Sequence, residues 1–231
     1  MAFILNIDTA TEYAGVCISN GKDILAIEES NEQKNHAAFV QSAIKKVLAD
    51  AGLKPASIEA IAITEGPGSY TGLRVGMASA KGLCYVLKIP LILINTLEVM
   101  ALASIEATES NKIIMDDLLF CPMIDARRQE VFTALYNNDL QKILPPFASV
   151  LDDHSFSLEL AKRRIMFSGN GSRKLKELIS HRNAIFSDVV HHISQLSFLS
   201  AKAFTENKFS NLAYSEPFYL KEFFDPSKKS F

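Results

Sequence analysis

Residues 65–83, EGPGSYTGLRVGMASAKGL, hold five glycines and one proline within 19 residues. No other segment limits the fold as tightly. A glycine inside a helix costs about 1 kcal/mol relative to alanine, so several in succession need a compensating gain. Two gains suit such a segment: a phosphate cradled by backbone N–H groups, or a neighbouring backbone packed where side chains would not fit. A Walker A loop requires Lys-Ser/Thr directly after its last glycine, and here Gly72 is followed by Leu73-Arg74. A dinucleotide fingerprint requires G-x-G-x-x-G, and Gly66, Gly68 and Gly72 miss that spacing by one residue. The residues Gly72, Gly76 and Ala80 recur every four positions, as one stripe of a helix does. The arithmetic therefore favours close helix packing. Phosphate contact at the Gly66–Thr71 turn stays open as the second reading.

The flanking patterns describe an α/β lobe. Phe3 to Ile7 and Tyr13 to Ser19 are apolar runs, and Asn20-Gly21 supplies a hairpin turn into a third strand, Ile24 to Ile27. Val40, Ala43, Ile44, Val47, Leu48 and Ala51 share one face of a helix over 36–50, closed by Gly52. A strand over 57–64, a helix over 71–87 and a strand from Leu91 to Ile94 follow. Thr96 is placed as the N-cap of a third helix ending near Ala107. The order β-β-β-α-β-α-β-α is that of a ribonuclease-H-like lobe. A polar stretch at 108–117 divides the chain into lobes 1–108 and 109–231. The second lobe reads as a truncated repeat: strands 119–125 and 130–136, helix 155–163, strand 165–167, helix 172–180, strand 184–187 and helix 193–206. The tail after residue 214 is aromatic, then basic. It is expected to fray at its end, and it has the option of docking back on the first lobe.

Composition excludes several classes. A formal net charge of −2 over 231 residues argues against autonomous nucleic-acid binding. Cys17, Cys84 and Cys121 lie in apolar surroundings without a C-x-x-C, as expected for reduced core thiols in a cytoplasmic protein. The first residues lack the basic region of a secretion signal, and no apolar run reaches the length of a membrane span.

Candidate chemistry is sparse. Asp8, Thr9 and Thr11 lie where the first strand ends, suited to a metal-bound phosphate. Ala10 stands where glycine would admit that phosphate, and a turn-stabilising Asp8 is the alternative. With Gly66, Gly68 and Ser69, and with Gly169 and Gly171 in the second-lobe turn SGNGS, these residues form the candidate nucleotide site. Ser172 is placed as an N-cap. DARRQEVF at 125–132 is a charged turn that could join Arg163, Arg164, Arg173 and Lys174 in an anion-binding face. The histidines, His36, His154, His181, His191 and His192, form no H-x-x-x-H or H-E-x-x-H pair and read as surface or capping residues. No G-x-S-x-G occurs, and spacing reveals no Ser/His/Asp grouping.

Five segments together resemble the TsaB (YeaZ) family: ILNIDTAT at 4–11, GPGSYTGLRVGMASAKGL at 66–83, DARRQEVF at 125–132, SGNG at 168–171 and EPFYLK at 216–221. The resemblance spans nearly the whole chain. It implies an actin/sugar-kinase/Hsp70-like fold of two ribonuclease-H-like lobes. It also implies a non-catalytic partner of TsaD, which transfers threonylcarbamoyl to adenosine 37 of ANN-decoding tRNAs. A TsaE-like ATPase is a further implied partner. ATP and Mg²⁺ would serve the complex, with no cofactor or metal bound by this chain alone. Pairing, with TsaD or with a second copy, would run through helices of the first lobe. Val40, Ile44, Val47, Gly72, Gly76 and Ala80 are the expected interface residues. The catalytic relative carries a metal-binding H-x-x-x-H where this chain has Thr96 and Met100, a pair unsuited to that role. The alternative from another class is an ATP-dependent phosphotransferase of the same fold.

Overall fold

The computed structural model describes residues 2–31, 36–113 and 116–221. The basic end of the tail lies outside the described residues. The first five-stranded sheet has the order β3-β2-β1-β4-β5. Its strands are β1 (Phe3–Asp8), β2 (Ala14–Asn20), β3 (Asp23–Ser30), β4 (Ala60–Gly66) and β5 (Leu91–Asn95). β1, β2 and β3 pair antiparallel, whereas β4 runs parallel to both β1 and β5. The second sheet repeats this as β10-β9-β6-β7-β8. It comprises β6 (Leu118–Asp125), β7 (Glu130–Tyr136), β8 (Lys142–Val150), β9 (Arg164–Ser168) and β10 (Ala184–Phe186). This is the actin/sugar-kinase/Hsp70-like pairing of two related lobes.

Side-chain alternation along the strands sends residues to opposite faces, and each face has its own core. Leu5, Ile7, Val16, Ile18, Ile61 and Ile63 pack under α1 (His36–Asp50) and α2 (Tyr70–Leu87). Ile4, Cys17, Ala60, Ala62 and Ile92 face the other way, onto Val99 and Leu102 of α3 (Thr96–Ser110) and Ile193, Leu196 and Leu199 of α6 (Ile193–Thr205). α3 is buried on both sides. Its Leu97, Met100 and Ala101 meet Ile124, Ala134 and Tyr136 of the second sheet, and its Ile105 meets Leu118, Phe120 and Met166. The far face of the second sheet is closed by α4 (Ser157–Leu160) and α5 (Ser172–Leu178). The second lobe has one helical turn where the first has α1, which makes it the smaller repeat.

Three local readings change. A helix from residue 155 to 163 shortens to the single turn α4. Thr96 is the first residue of α3, and the cap is Asn95, whose Oδ1 accepts the Leu97 N–H at 3.1 Å. Ser172 likewise opens α5 after Gly171, and its hydroxyl donates to the Gly169 carbonyl at 2.7 Å. The lobe division at residue 108 is crossed by packing. α6, from the second half of the sequence, covers the first sheet, and α3, from the first half, covers the second. No described helix is long and apolar enough to cross a membrane.

Candidate functional site

The candidate residues fall into two clusters, one at the strand ends of each lobe. In the first, β1 ends at Asp8 and the chain turns through Thr9 and Ala10 against the start of α2. The Ser69 N–H donates to the Ala10 carbonyl at 2.7 Å, and the Thr9 hydroxyl donates to the Gly72 carbonyl at 2.8 Å. Ser69 caps α2, its Oγ accepting the Gly72 N–H at 3.3 Å. The glycines make this contact possible. A Cβ at Gly68 would lie 2.0 Å from the Ala10 carbonyl oxygen, one at Gly72 2.1 Å from the Thr9 carbonyl oxygen, and one at Gly76 2.4 Å from Thr9 Oγ1. The structure brings Asp8, Thr9, Gly68 and Ser69 together as expected. It then fills the space between them with the chain's own backbone. Thr11 is half-buried, its hydroxyl directed at the Tyr13 carbonyl.

Asp8 is fully buried and its acceptors are occupied. Oδ1 takes the Ala10 N–H at 3.0 Å and the Thr64 hydroxyl at 2.8 Å, and Oδ2 faces His191 Nε2 at 3.2 Å. Burial pushes the Asp8 carboxyl up, but His191, Ala10 and Thr64 together outweigh it and hold the group below the usual carboxylate range. Spacing alone marks His191 as a surface or capping residue, yet it is 5% exposed. It is 183 positions from Asp8, so no spacing rule reveals the pair. Tyr13 stands beside both, its ring edge-on to His191 at 5.4 Å. Its hydroxyl accepts the Ile193 N–H and donates to Glu29, each at 2.7 Å. The start of α6 is thereby fastened to the first sheet.

The second cluster is closed in the same manner. A Cβ at Gly169 would meet the Met123 carbonyl oxygen at 2.4 Å and Met100 Cε at 2.5 Å, and one at Gly171 would meet Val131 Cγ1 at 2.9 Å. The Gly171 N–H donates to the Met123 carbonyl, and Asn170 Oδ1 accepts the Asp125 N–H. Lys174 is bound to Asp125 Oδ1 at 2.8 Å and to the Glu130 carbonyl, and Arg164 donates to the Asp116 carbonyl. The basic residues expected to form an anion face are thus partly spent on internal partners. Met100 is buried in the interlobe core and Thr96 is fully buried. Among the described residues no three His, Cys, Asp or Glu side chains are grouped to hold a metal ion. Around Asp8 the carboxylate and the Ala10, Ser69 and Gly72 amides are already paired within the chain.

The expected interface residues need correction. Val40, Ile44, Val47, Gly72, Gly76 and Ala80 are all buried in the chain's own first-lobe core. The four-residue stripe does mark close packing, but against β1, β4 and the Thr9 loop. The outward stripe of α2 is Thr71, Arg74, Ala78, Gly82, Tyr85 and Val86. Tyr85 is 78% and Val86 74% exposed, and a Cβ on Gly82 would meet nothing within 4 Å. Ala38, Gln41, Lys45 and Ala49 of α1 are also exposed, and Gln41 Nε2 donates to Ser79 Oγ at 2.9 Å, joining the two helices.

Comparison with known proteins identifies the lineage. The family model described as TsaD, tRNA N6-adenosine threonylcarbamoyltransferase, matches residues 24–223. The tRNA threonylcarbamoyladenosine biosynthesis protein TsaB of Bacillus subtilis is 31% identical over 76% of this chain and 74% of its own length. TsaB of Escherichia coli is 32% identical over 59% of this chain and 55% of its own length. The solved YeaZ structure from Pseudomonas aeruginosa superimposes with a TM-score of 0.78 at 22% identity, covering 95% of this chain and all of that one. With its fold, its motifs and these relatives in agreement, the chain belongs to the TsaB family of tRNA threonylcarbamoyladenosine biosynthesis proteins.

Proposed function

We propose that this chain is a non-catalytic partner of a TsaD-like threonylcarbamoyltransferase, acting in formation of threonylcarbamoyladenosine at position 37 of ANN-decoding tRNAs. The observation that carries the reading is the pair of faces on α2. The inner face is packed shut around Asp8, with its glycines taken up by backbone contact. The outer face presents small residues, Ala78 and Gly82, flanked by Arg74, Tyr85 and Val86. Small side chains let a second helix approach closely, and the flanking aromatic and arginine are residue types enriched at interface centres. The outer face of α2, with Gln41, Lys45 and Ala49 of α1, is the surface we assign to the catalytic partner, or to a second copy when the chain is alone. ATP and Mg²⁺ are assigned to the complex, in which a TsaE-like ATPase would also take part, in the cytoplasm. Nothing in the Asp8 cluster favours the phosphotransferase alternative, since the Ala10 and Thr9 carbonyl oxygens already lie against Gly68 and Gly72.

The test is a binding titration of the TsaD-like subunit against Ala78→Arg and against wild type. The variant should keep its unfolding transition and bind at least about tenfold more weakly, as a central interface residue does. Equal binding by the folded variant removes the outer face of α2 as the partner surface.

A further inference from the structure

Gly66 has a role that neither phosphate binding nor helix packing accounts for. The chain leaving α6 first covers the edge of β5, with the Ser210 N–H donating to the Leu91 carbonyl at 2.8 Å. It then runs along α2, where Lys81 Nζ donates to the Ser215 carbonyl at 2.7 Å. At the end of β4 the Phe218 N–H donates to the Glu65 carbonyl at 2.7 Å. Gly66, at φ +120°, lies directly beneath this contact, and a Cβ there would sit 2.6 Å from the Phe218 carbonyl oxygen. Such a backbone conformation favours glycine on its own account, and the Phe218 carbonyl adds a steric reason. Tyr219 next packs on Tyr70 in the first turn of α2, ring centroids 5.4 Å apart, and the Arg74 guanidinium lies over Tyr70 at 5.1 Å. Finally Lys221 Nζ reaches Glu130 at the start of β7, 2.6 Å from each carboxylate oxygen. The segment EPFYLK therefore begins on one lobe and ends on the other.

We propose that residues 216–221 are a strap that latches the second lobe to the N-terminal turn of α2, with Gly66 as its seat. The apolar core around α3 joins the lobes at one place, and the strap joins them at the carboxyl end of β4. Three unlike contacts hold it: a main-chain hydrogen bond, an aromatic pair and an ion pair. The Glu130 side chain is 15% exposed, so Lys221 neutralises a carboxylate that is mostly removed from water. The strap ties Glu130 at the start of β7 to Tyr70 at the start of α2 through Lys221 and Tyr219.

The latch is read from hydrogen exchange of the Phe218 amide in the full chain, since that proton exchanges when the strap releases. Lys221→Glu and Glu130→Lys should each speed exchange by up to about fivefold, the upper end of what an ion pair with an exposed lysine contributes. The double swap should return it towards the wild-type rate. Tyr70→Ala should also speed it. A wild-type amide that exchanges at the unprotected rate overturns the strap. So do single charge variants that leave the rate unchanged, or a double swap no slower than either single variant.

Discussion

Adding one methyl group to α2 should have opposite effects at two glycines six residues apart. At Gly76 the new Cβ would lie 2.4 Å from Thr9 Oγ1 and 2.8 Å from Ile63 Cδ1. Thr9 is fully buried and its hydroxyl is committed to the Gly72 carbonyl, so it has no room to swing aside. Overpacking a core site costs about 1–3 kcal/mol, and breaking the buried Thr9 hydrogen bond costs about 1–3 kcal/mol more. Better helix propensity offsets about 1 kcal/mol, leaving Gly76→Ala less stable by about 1–5 kcal/mol. At about 2–4 °C per kcal/mol for a chain of this size, the midpoint should fall by about 2–20 °C. At Gly82 nothing lies within 4 Å of the added carbon. Gly82→Ala should gain about 0.5–1 kcal/mol and raise the midpoint by about 1–4 °C. Thermal unfolding followed by circular dichroism, at matched low protein concentration, measures both. A Gly76→Ala chain as stable as wild type, or a Gly82→Ala chain that is less stable, would refute the assignment of inner and outer faces.

The Asp8–His191 pair gives the next two expectations. His191→Ala strands a fully buried carboxylate and should cost about 3–5 kcal/mol, measured by urea unfolding at neutral pH. Because the folded-state pKa of Asp8 is lowered from 3.8, its contribution is present above that value and is lost as pH falls through the folded value. Stability should therefore drop more steeply below pH 3.8 in wild type than in Asp8→Asn, and parallel acid profiles would contradict the pairing. Burial pushes the Cys17 and Cys121 thiols up to about 12 and Cys84 to about 11. A thiol reagent at mildly alkaline pH should label the native chain far more slowly than the unfolded one, which exposes all three cysteines. Rapid native labelling would place one of them outside the core.

The order of the first lobe was legible because its signals are local. Apolar runs marked β1 and β2, Asn20-Gly21 marked the turn into β3, and 3–4 spacing marked α1 and α2. β8 is hard to read from sequence: its Pro145 and Pro146 argue against a central strand, and the sheet order shows it to be an edge strand, where proline is tolerated. The small-residue stripe of α2 was visible, but periodicity alone does not say which side faces inward. That is decided by Leu73, Met77 and Cys84 lying beside Gly72, Gly76 and Ala80. His191 and the Phe218 contact were invisible for a different reason. Each depends on a pairing between distant parts of the chain, and a single sequence carries no trace of which distant residues meet.

Reconstituted transfer of threonylcarbamoyl to tRNA, with the TsaD-like subunit, the TsaE-like ATPase, ATP and Mg²⁺, tests the assigned role most directly. Transfer should depend on adding this chain, should be lost with Ala78→Arg, and should be absent when this chain is supplied without the catalytic subunit. Undiminished transfer without it, or turnover by this chain alone, would contradict a non-catalytic partner.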